Sequence, residues 1–383
     1  MGKWEMVRLG DVCLDTEKVN PTTYDKEITY IDISAINSDI KKITEYNAIS
    51  SQNAPSRARQ LIQQGDILVS TVRPNLNAVA IVEKTDNEMI ASTGFCVLRP
   101  DKGKVDNKYL FEFVKSTGFV RSMTMQATGA SYPAVSNKIV MGERIPLPPL
   151  PVQQKIADVL DHANALIEKR KAQMEKLDLL VKSQFIQMFG TANGNENGFP
   201  LLTVDDVIKF EGGSQPPRST FESVPTEENI RLIQIRDYKT DEYMTYIPKS
   251  LARKFCTADD IMIGRYGPPI FQILQGLEGA YNVALLKAVP KMGNREFVRE
   301  YLRQKPLLEY LESLSQRTAG QTGIDMDALK KYPFPYPPIE LQESFAEFLK
   351  AADKSKLAMR QALEKQQRLY QSLMQKCFNG EMF

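Results

Sequence analysis

Two stretches of this chain are hard to fold as anything but long helices. Residues 152–189 contain neither glycine nor proline; they follow the cluster Pro146-Leu147-Pro148-Pro149-Leu150-Pro151 and stop at Gly190. Residues 340–379 repeat the plan, with Pro335-Tyr336-Pro337-Pro338 ahead and Gly380 behind. Proline suits a first helical turn, where its missing N–H had no partner anyway, and glycine suits the residue just past the last turn. Each stretch therefore reads as one helix spanning roughly 55 Å at about 1.5 Å per residue. A helix that long needs a partner, because packing of its apolar face supplies most of its stability.

The two stretches are copies. At a constant offset of 189 residues, PLPPLPVQQKIADVL lies over PYPPIELQESFAEFL without a gap. A seam of alternating four- and three-residue steps runs through Ile156, Leu160, Ala163, Ile167, Arg170, Met174, Leu177, Val181, Gln184 and Met188. The same offset gives Phe345, Leu349, Ala352, Lys356, Met359, Leu363, Gln366, Tyr370, Leu373 and Cys377. Both follow the heptad pattern of a coiled coil, and each is interrupted by two polar residues, Arg170 and Gln184 or Lys356 and Gln366. The most economical partner for either seam is the other copy, and the polar breaks read either as residues that fix register or as a loosened, partly wet seam.

Ahead of each helix lies a region of similar size, 1–144 and 191–331, whose landmarks recur in order. The pieces VRLGDV (7–12) and LTVDDV (202–207) match, as do ITYIDI (28–33) with IRLIQI (230–235), and GDILVS (65–70) with DDIMIG (259–264). A further strand follows (93–98; 283–289), then a helix (108–123; 295–314) and a small-residue loop (128–131; 318–323). Short alternating runs bounded by Asn, Gly and Pro, with one helix near the end, predict an α+β domain rich in strand. The polar stretch 190–198 reads as the linker between halves. The expected order is domain 1–144, helix 145–190, domain 191–331, helix 332–383: an internal duplication with pseudo-two-fold character.

Little in the residue content points to catalysis. The single histidine, His162, falls on the first helix beside the seam, where it reads as a packing or surface residue. No GxxxxGK[ST] loop, HExxH pair or dinucleotide-binding glycine pattern is present. The methyltransferase motif of Asn or Asp, two prolines and an aromatic residue is missing; PFPYPP (333–338) lacks its acid or amide. Pro100-Asp101 with Asp106-Asn107-Lys108 formally fits a nuclease pattern, but its spacing reads better as a helix cap. Cys13, Cys96, Cys256 and Cys377 stand far apart, as reduced thiols and not a zinc site. No segment approaches the ~18 apolar residues of a membrane span, and the chain reads as cytoplasmic. Its formal net charge is only +2, so a nucleic-acid role would need local patches or basic partners.

With these features together, the chain resembles the specificity subunit of a type I restriction–modification system, over essentially its whole length. The residues that carry the resemblance are PLPPLPVQQKIADVLD (146–161), its echo PYPPIELQESFAEFLKAAD (335–353), GDILVSTVRP (65–74) and STGFCVLRP (92–100). The resemblance implies two strand-rich target-recognition domains separated by two long helices packed as an antiparallel coiled coil. Each domain would read one half of a bipartite DNA site. It also implies two methyltransferase subunits docked on this chain, which two restriction subunits can join. S-adenosylmethionine, ATP and Mg²⁺ would belong to those partners, and this chain would bind no cofactor or metal.

Base edges are read by Arg, Lys, Asn, Gln and hydroxyl side chains, and phosphates by Arg, Lys and backbone amides. On that chemistry the candidates in the first domain are Arg57, Arg59, Arg73, Asn75, Asn77, Ser131, Tyr132 and Lys138. Those in the second are Arg218, Arg236, Arg253, Lys254, Arg265, Tyr266, Gln321 and Thr322. Arg73 and Arg265 lead, because each follows the same duplicated strand. The competing reading is a coiled-coil scaffold whose globular ends bind no DNA.

Overall fold

The computed structural model describes residues 4–24, 26–84, 88–191, 194–267, 269–315 and 323–383. Two continuous helices dominate it, Leu150–Phe189 and Ile339–Asn379. The chain divides into two compact units, and both helices are shared between them. Unit 1 holds Met1–Ala172 and Met359–Phe383; unit 2 holds Gln173–Ala358. Each unit thus pairs the start of one long helix with the end of the other, so the two run antiparallel.

In unit 1, one four-stranded sheet has the order Asn47–Ser50, Glu27–Ile31, Met89–Ser92, Ala58–Ile62, with the middle two strands parallel. The other has the order Cys13–Leu14, Phe95–Pro100, Ile67–Ser70, Val79–Ile81 and is antiparallel throughout. Unit 2 repeats both. Tyr246–Pro248, Asn229–Ile233, Gly279–Tyr281 and Phe255–Cys256 form the mixed sheet; Ile208–Gly212, Leu285–Pro290, Ile261–Gly264 and Gln272–Leu274 form the antiparallel one. A short two-stranded pair ties each unit's first segment to the proline-rich entry of its helix, Met6–Arg8 with Arg144–Pro146 and Leu201–Thr203 with Pro333–Pro335.

The aspartates of GDILVS and DDIMIG hold the turn that enters the central strand. Asp66 accepts from Gln63 N at 3.0 Å and Asp260 from Thr257 N at 2.8 Å. Each then meets a cation on the adjacent strand. Arg99 grips Asp66 with two bonds of 3.0 and 2.8 Å, and Lys287 sits 3.0 Å from Asp260. Asp66 is buried, so removing either member of its pair would strand a charge at a cost of about 3–5 kcal/mol.

One sequence expectation is corrected in each unit. The helices expected over 108–123 and 295–314 are each two helices: Asn107–Lys115 with Thr117–Gln126, and Arg295–Leu302 with Lys305–Ser315. Ser116 ends one and starts the next, its N–H bonding Phe113 O at 2.9 Å and its hydroxyl accepting from Phe119 N at 3.2 Å. In unit 2 the cause is Pro306, which has no N–H to offer and whose ring would strike the Leu302 carbonyl in a continuous helix.

The domains are locked to the long helices by a duplicated residue that pattern reading overlooked. Gln153, fully buried near the start of the first helix, accepts from Asp106 N at 2.8 Å and donates to Lys104 O and Pro148 O at 3.0 and 2.8 Å. Gln342, 189 residues on and equally buried, accepts from Asn294 N at 2.8 Å and donates to Pro337 O at 2.8 Å. Each glutamine joins a helix entry to the cap of its domain's helix. Gln153→Leu should destabilise unit 1 by about 1–3 kcal/mol, because it leaves buried backbone groups unpaired. Urea unfolding would measure it, and a loss below a few tenths would refute the lock.

A second link reaches the opposite helix. Buried Glu112 pairs with Lys115 and accepts from the Tyr370 hydroxyl at 2.6 Å. Burial, then the Glu112 carboxylate, pushes the Tyr370 phenol well up, so it remains a donor. In unit 2 buried Glu300 pairs with Arg303 at 2.7 Å and with Arg299 at 3.1 Å; Arg299 in turn reaches Asp353 at 3.4 Å.

Every seam position is buried or half-buried. Ile156, Leu160, Ile167, Phe345 and Leu349 are buried; Met174, Leu177, Val181, Met359, Leu363, Tyr370 and Leu373 are half-buried. Of the polar breaks, Lys356 pairs with Asp178 across the helices, while Gln366 Oε1 is buried without a hydrogen-bond partner. Burial pushes the thiols of Cys96 and Cys256 up to about 12 and about 11, which makes them inert at neutral pH.

Candidate nucleic-acid interface

The strand Ile67–Ser70 ends in a seven-residue loop, Thr71-Val72-Arg73-Pro74-Asn75-Leu76-Asn77, that holds three of the candidates, Arg73, Asn75 and Asn77. Arg73 and Asn77 both adopt left-handed backbone, with φ of 50° and 46°. Such values are uncommon outside glycine and cluster where structure over-determines them. The loop is over-determined here. Thr71 N donates to Gly94 O at 2.9 Å, Arg73 N to Pro133 O at 2.7 Å, and Val135 N donates to Thr71 O at 2.9 Å. Val72 also bridges Ala134.

These bonds bring Ser131 and Tyr132 beside Arg73, whose guanidinium lies 4.7 Å from the Tyr132 ring centre. Arg57 joins the same rim, since its carbonyl accepts from Thr93 N next to Gly94. Arg57, Arg73, Asn75, Ser131 and Tyr132 are all exposed. Arg59 is diverted, bonding Ser56 O and Asn20. Asn77 turns inward: its amide reaches Lys115 O at 3.5 Å and its carbonyl accepts from Lys41 Nζ at 2.6 Å. Lys138 is exposed on the short helix Asn137–Gly142 that follows.

In unit 2 the strand Ile261–Gly264 leads into Arg265 and Tyr266, with Arg265 Cζ 5.4 Å from the Tyr266 ring centre. Tyr266 bridges Gly323 just before the helix Met326–Lys331. Arg253 and Lys254 are exposed at the edge strand Phe255–Cys256, and Arg218 is exposed on a turn. Arg236 is occupied, donating to Tyr243 O and Thr245 Oγ1, both at 3.2 Å. Gln321 and Thr322 lie outside the described residues.

Three further residues shape the unit 1 rim without having signalled themselves. Leu76 and Met125 are apolar yet exposed, on a turn and helix that pack together. Lys41 supports the loop from below, and burial, then the Lys115 charge, lowers its pKa. An arginine plane resting on a ring, flanked by amides and hydroxyls, suits base edges and phosphates.

Among the described residues, no group of three His, Cys, Asp or Glu is placed to hold a metal ion. Asp106 caps the helix after it, accepting from Lys108 N and Tyr109 N at 3.0 Å, and Lys108 pairs with Asp161. His162 is exposed, its Nδ1 bonded to Asp158 O. No described helix is long and apolar enough to cross a membrane.

Known proteins share this fold. Residues 1–176 match the family model for the type I restriction modification DNA specificity domain. A putative type I restriction enzyme MjaX specificity subunit of Methanocaldococcus jannaschii is 26% identical, over 91% of this chain and 87% of its own length. The EcoKI specificity subunit of Escherichia coli K12 is 24% identical over 75% of this chain and 68% of its own. A chain from a type I R-M system studied for its complex assembly and conformational transition superposes with a TM-score of 0.65 at 27% identity, covering 100% of this chain and 98% of that one. The S subunit from M. genitalium, 12% identical, shares the fold at a TM-score of 0.56 over 98% of this chain and 96% of that one.

Proposed function

We propose that this chain, a member of the type I restriction–modification specificity subunits, reads a bipartite DNA site with one half-site per domain. The observation that carries the reading is the repeated rim. Two units of matching topology each present an arginine against a tyrosine just past the end of the same strand, Arg73 exposed and Arg265 half-buried. Two readers of different sequence ask for two different half-sites. The long helices set the distance between the readers, and since DNA repeats about every 34 Å, a fixed distance places them on accessible groove faces.

In this reading the helices also dock two methyltransferase subunits, which restriction subunits can join. Exposed leucines on those helices, Leu166, Leu179, Leu180, Leu357 and Leu369, support a protein-binding role. S-adenosylmethionine, ATP and Mg²⁺ act in those partners. The near-neutral charge of this chain fits shared phosphate contact.

The test is a mobility shift of duplex DNA by the full-length chain with modification subunits present. Binding should be specific for one bipartite sequence and should fall roughly a thousand-fold or more between about 50 and 200 mM salt, the scale of six or more phosphate contacts. No shift at low salt would favour the scaffold reading instead.

A further inference from the structure

The two rims can be matched residue by residue, and the match shows where they differ. Aligning the strands Ile67–Ser70 and Ile261–Gly264 superimposes the pairs Val69–Val79 and Ile263–Ile273. The left-handed positions then coincide as well: Arg73 (φ 50°) with Gly267 (φ 104°), and Asn77 (φ 46°) with Phe271 (φ 57°). Thr71 falls on Arg265. The Thr71 N–H donates to Gly94 O and its carbonyl accepts from Val135 N; the Arg265 N–H donates to Ala284 O and its carbonyl accepts from Ile324 N. Val72 falls on Tyr266, each making the bridge to the following loop.

One backbone mould is therefore filled in two ways. Its first position holds buried Thr71, whose hydroxyl is spent on Gly94 O, in one unit and Arg265 in the other. Its third holds Arg73 in one and glycine in the other. Glycine is what that left-handed backbone prefers, so an arginine there is kept against local preference. Among the described residues neither Arg73 nor Arg265 has an ion-pair partner; each lies against a tyrosine ring, and Arg265 also donates to Val283 O at 3.5 Å. A guanidinium without a carboxylate partner, exposed in Arg73 and half-buried in Arg265, is suited to the paired acceptors O6 and N7 of guanine.

We propose that positions 71 and 73, and their equivalents 265 and 267, determine specificity: Arg73 and Arg265 each read a guanine, and which position carries the arginine sets where that guanine falls. Two residues of chain span at most about 7 Å, or about two base steps of 3.4 Å. The proposal rests on the DNA-reading function above.

The experiment is to sequence duplexes enriched from a randomised pool by the full-length chain with its modification subunits. Arg73→Gly relieves a left-handed backbone and should fold. It should weaken the preference for one guanine in one half-site about ten- to a hundred-fold and leave the other half-site unchanged. Arg73→Lys keeps the charge but not the rigid planar fork, and should lose part of the same preference. The double variant Thr71→Arg, Arg73→Gly should move the guanine by one or two positions. A parent motif enriched at full stringency by Arg73→Gly would overturn the assignment, as would an equal loss at both half-sites, which marks a phosphate contact. If the parent chain enriches no motif, the DNA-reading function itself fails.

Discussion

Replacing Phe345 with alanine should cost unit 2 about 3–5 kcal/mol, the range for truncating a buried phenylalanine. Phe345 is fully buried and meets Phe185 and Phe189 edge-on, at 5.3 and 5.5 Å between ring centres. Those two rings end the first long helix, and Phe297 of the domain stacks on Phe185 at 5.6 Å. One side chain thus joins three elements: the start of one helix, the end of the other and the domain they carry. Edge-to-face pairs add about 0.5–1.5 kcal/mol each beyond burial, so the cost should reach the upper part of the range. For a unit of this size the melting temperature should fall by roughly 10 °C or more. Thermal unfolding followed by near-ultraviolet circular dichroism would read the loss directly. A cost under about 1 kcal/mol would mean that the aromatic cluster is not what clamps the helices.

The same junction exists in unit 1 with other residues. Ile156 stands where Phe345 does, Met374 where Phe185 does, and Phe378, 5.3 Å from Tyr109, where Phe189 does. That repetition was legible, because a helix face has a period and an offset of 189 residues preserves it. Three strands of each domain, expected over 28–33, 65–70 and 93–98 and their counterparts, were legible to within a few residues as short apolar runs. What was not legible depends on partners distant in sequence. Gln153 and Gln342 look like ordinary polar helix residues until the caps they bond are in place. The breaks at Ser116 and Pro306 fell inside runs whose apolar spacing continued across them. The rim loops were hidden more deeply. Their left-handed positions are filled by Arg, Asn and Phe as well as glycine, so glycine alone did not mark them. Arg73 and Arg265 were each singled out as following the duplicated strand, which they do, but they occupy different places on the loop.

Leu177→Pro should separate the two reading functions without erasing either. Leu177 is half-buried in the first long helix, five residues past the point where that helix leaves unit 1. Proline there removes the bond to residue 173 and clashes with its carbonyl, a cost of about 3 kcal/mol or more in a helix interior. Each domain keeps its own core, since both core clusters draw on the helix ends and not on its middle. Under the proposed function, full-site affinity comes from one rigid link between two weak contacts, which can exceed either alone by about 10²–10⁴-fold. The variant should lose that factor while half-site duplexes bind as before, and mobility shifts on full and half sites would show the difference. Full-site affinity within about threefold of the parent would exclude a spacing role for the helices. Lengthening supplies the opposite sign of the same test. Four residues inserted into both helices add about 6 Å, nearly two base steps, and should move the preferred spacer by that amount. Because the helices run antiparallel, an insertion in only one would shift their seams out of register along part of their length. It should therefore cost stability, whereas the matched pair of insertions should change spacing alone.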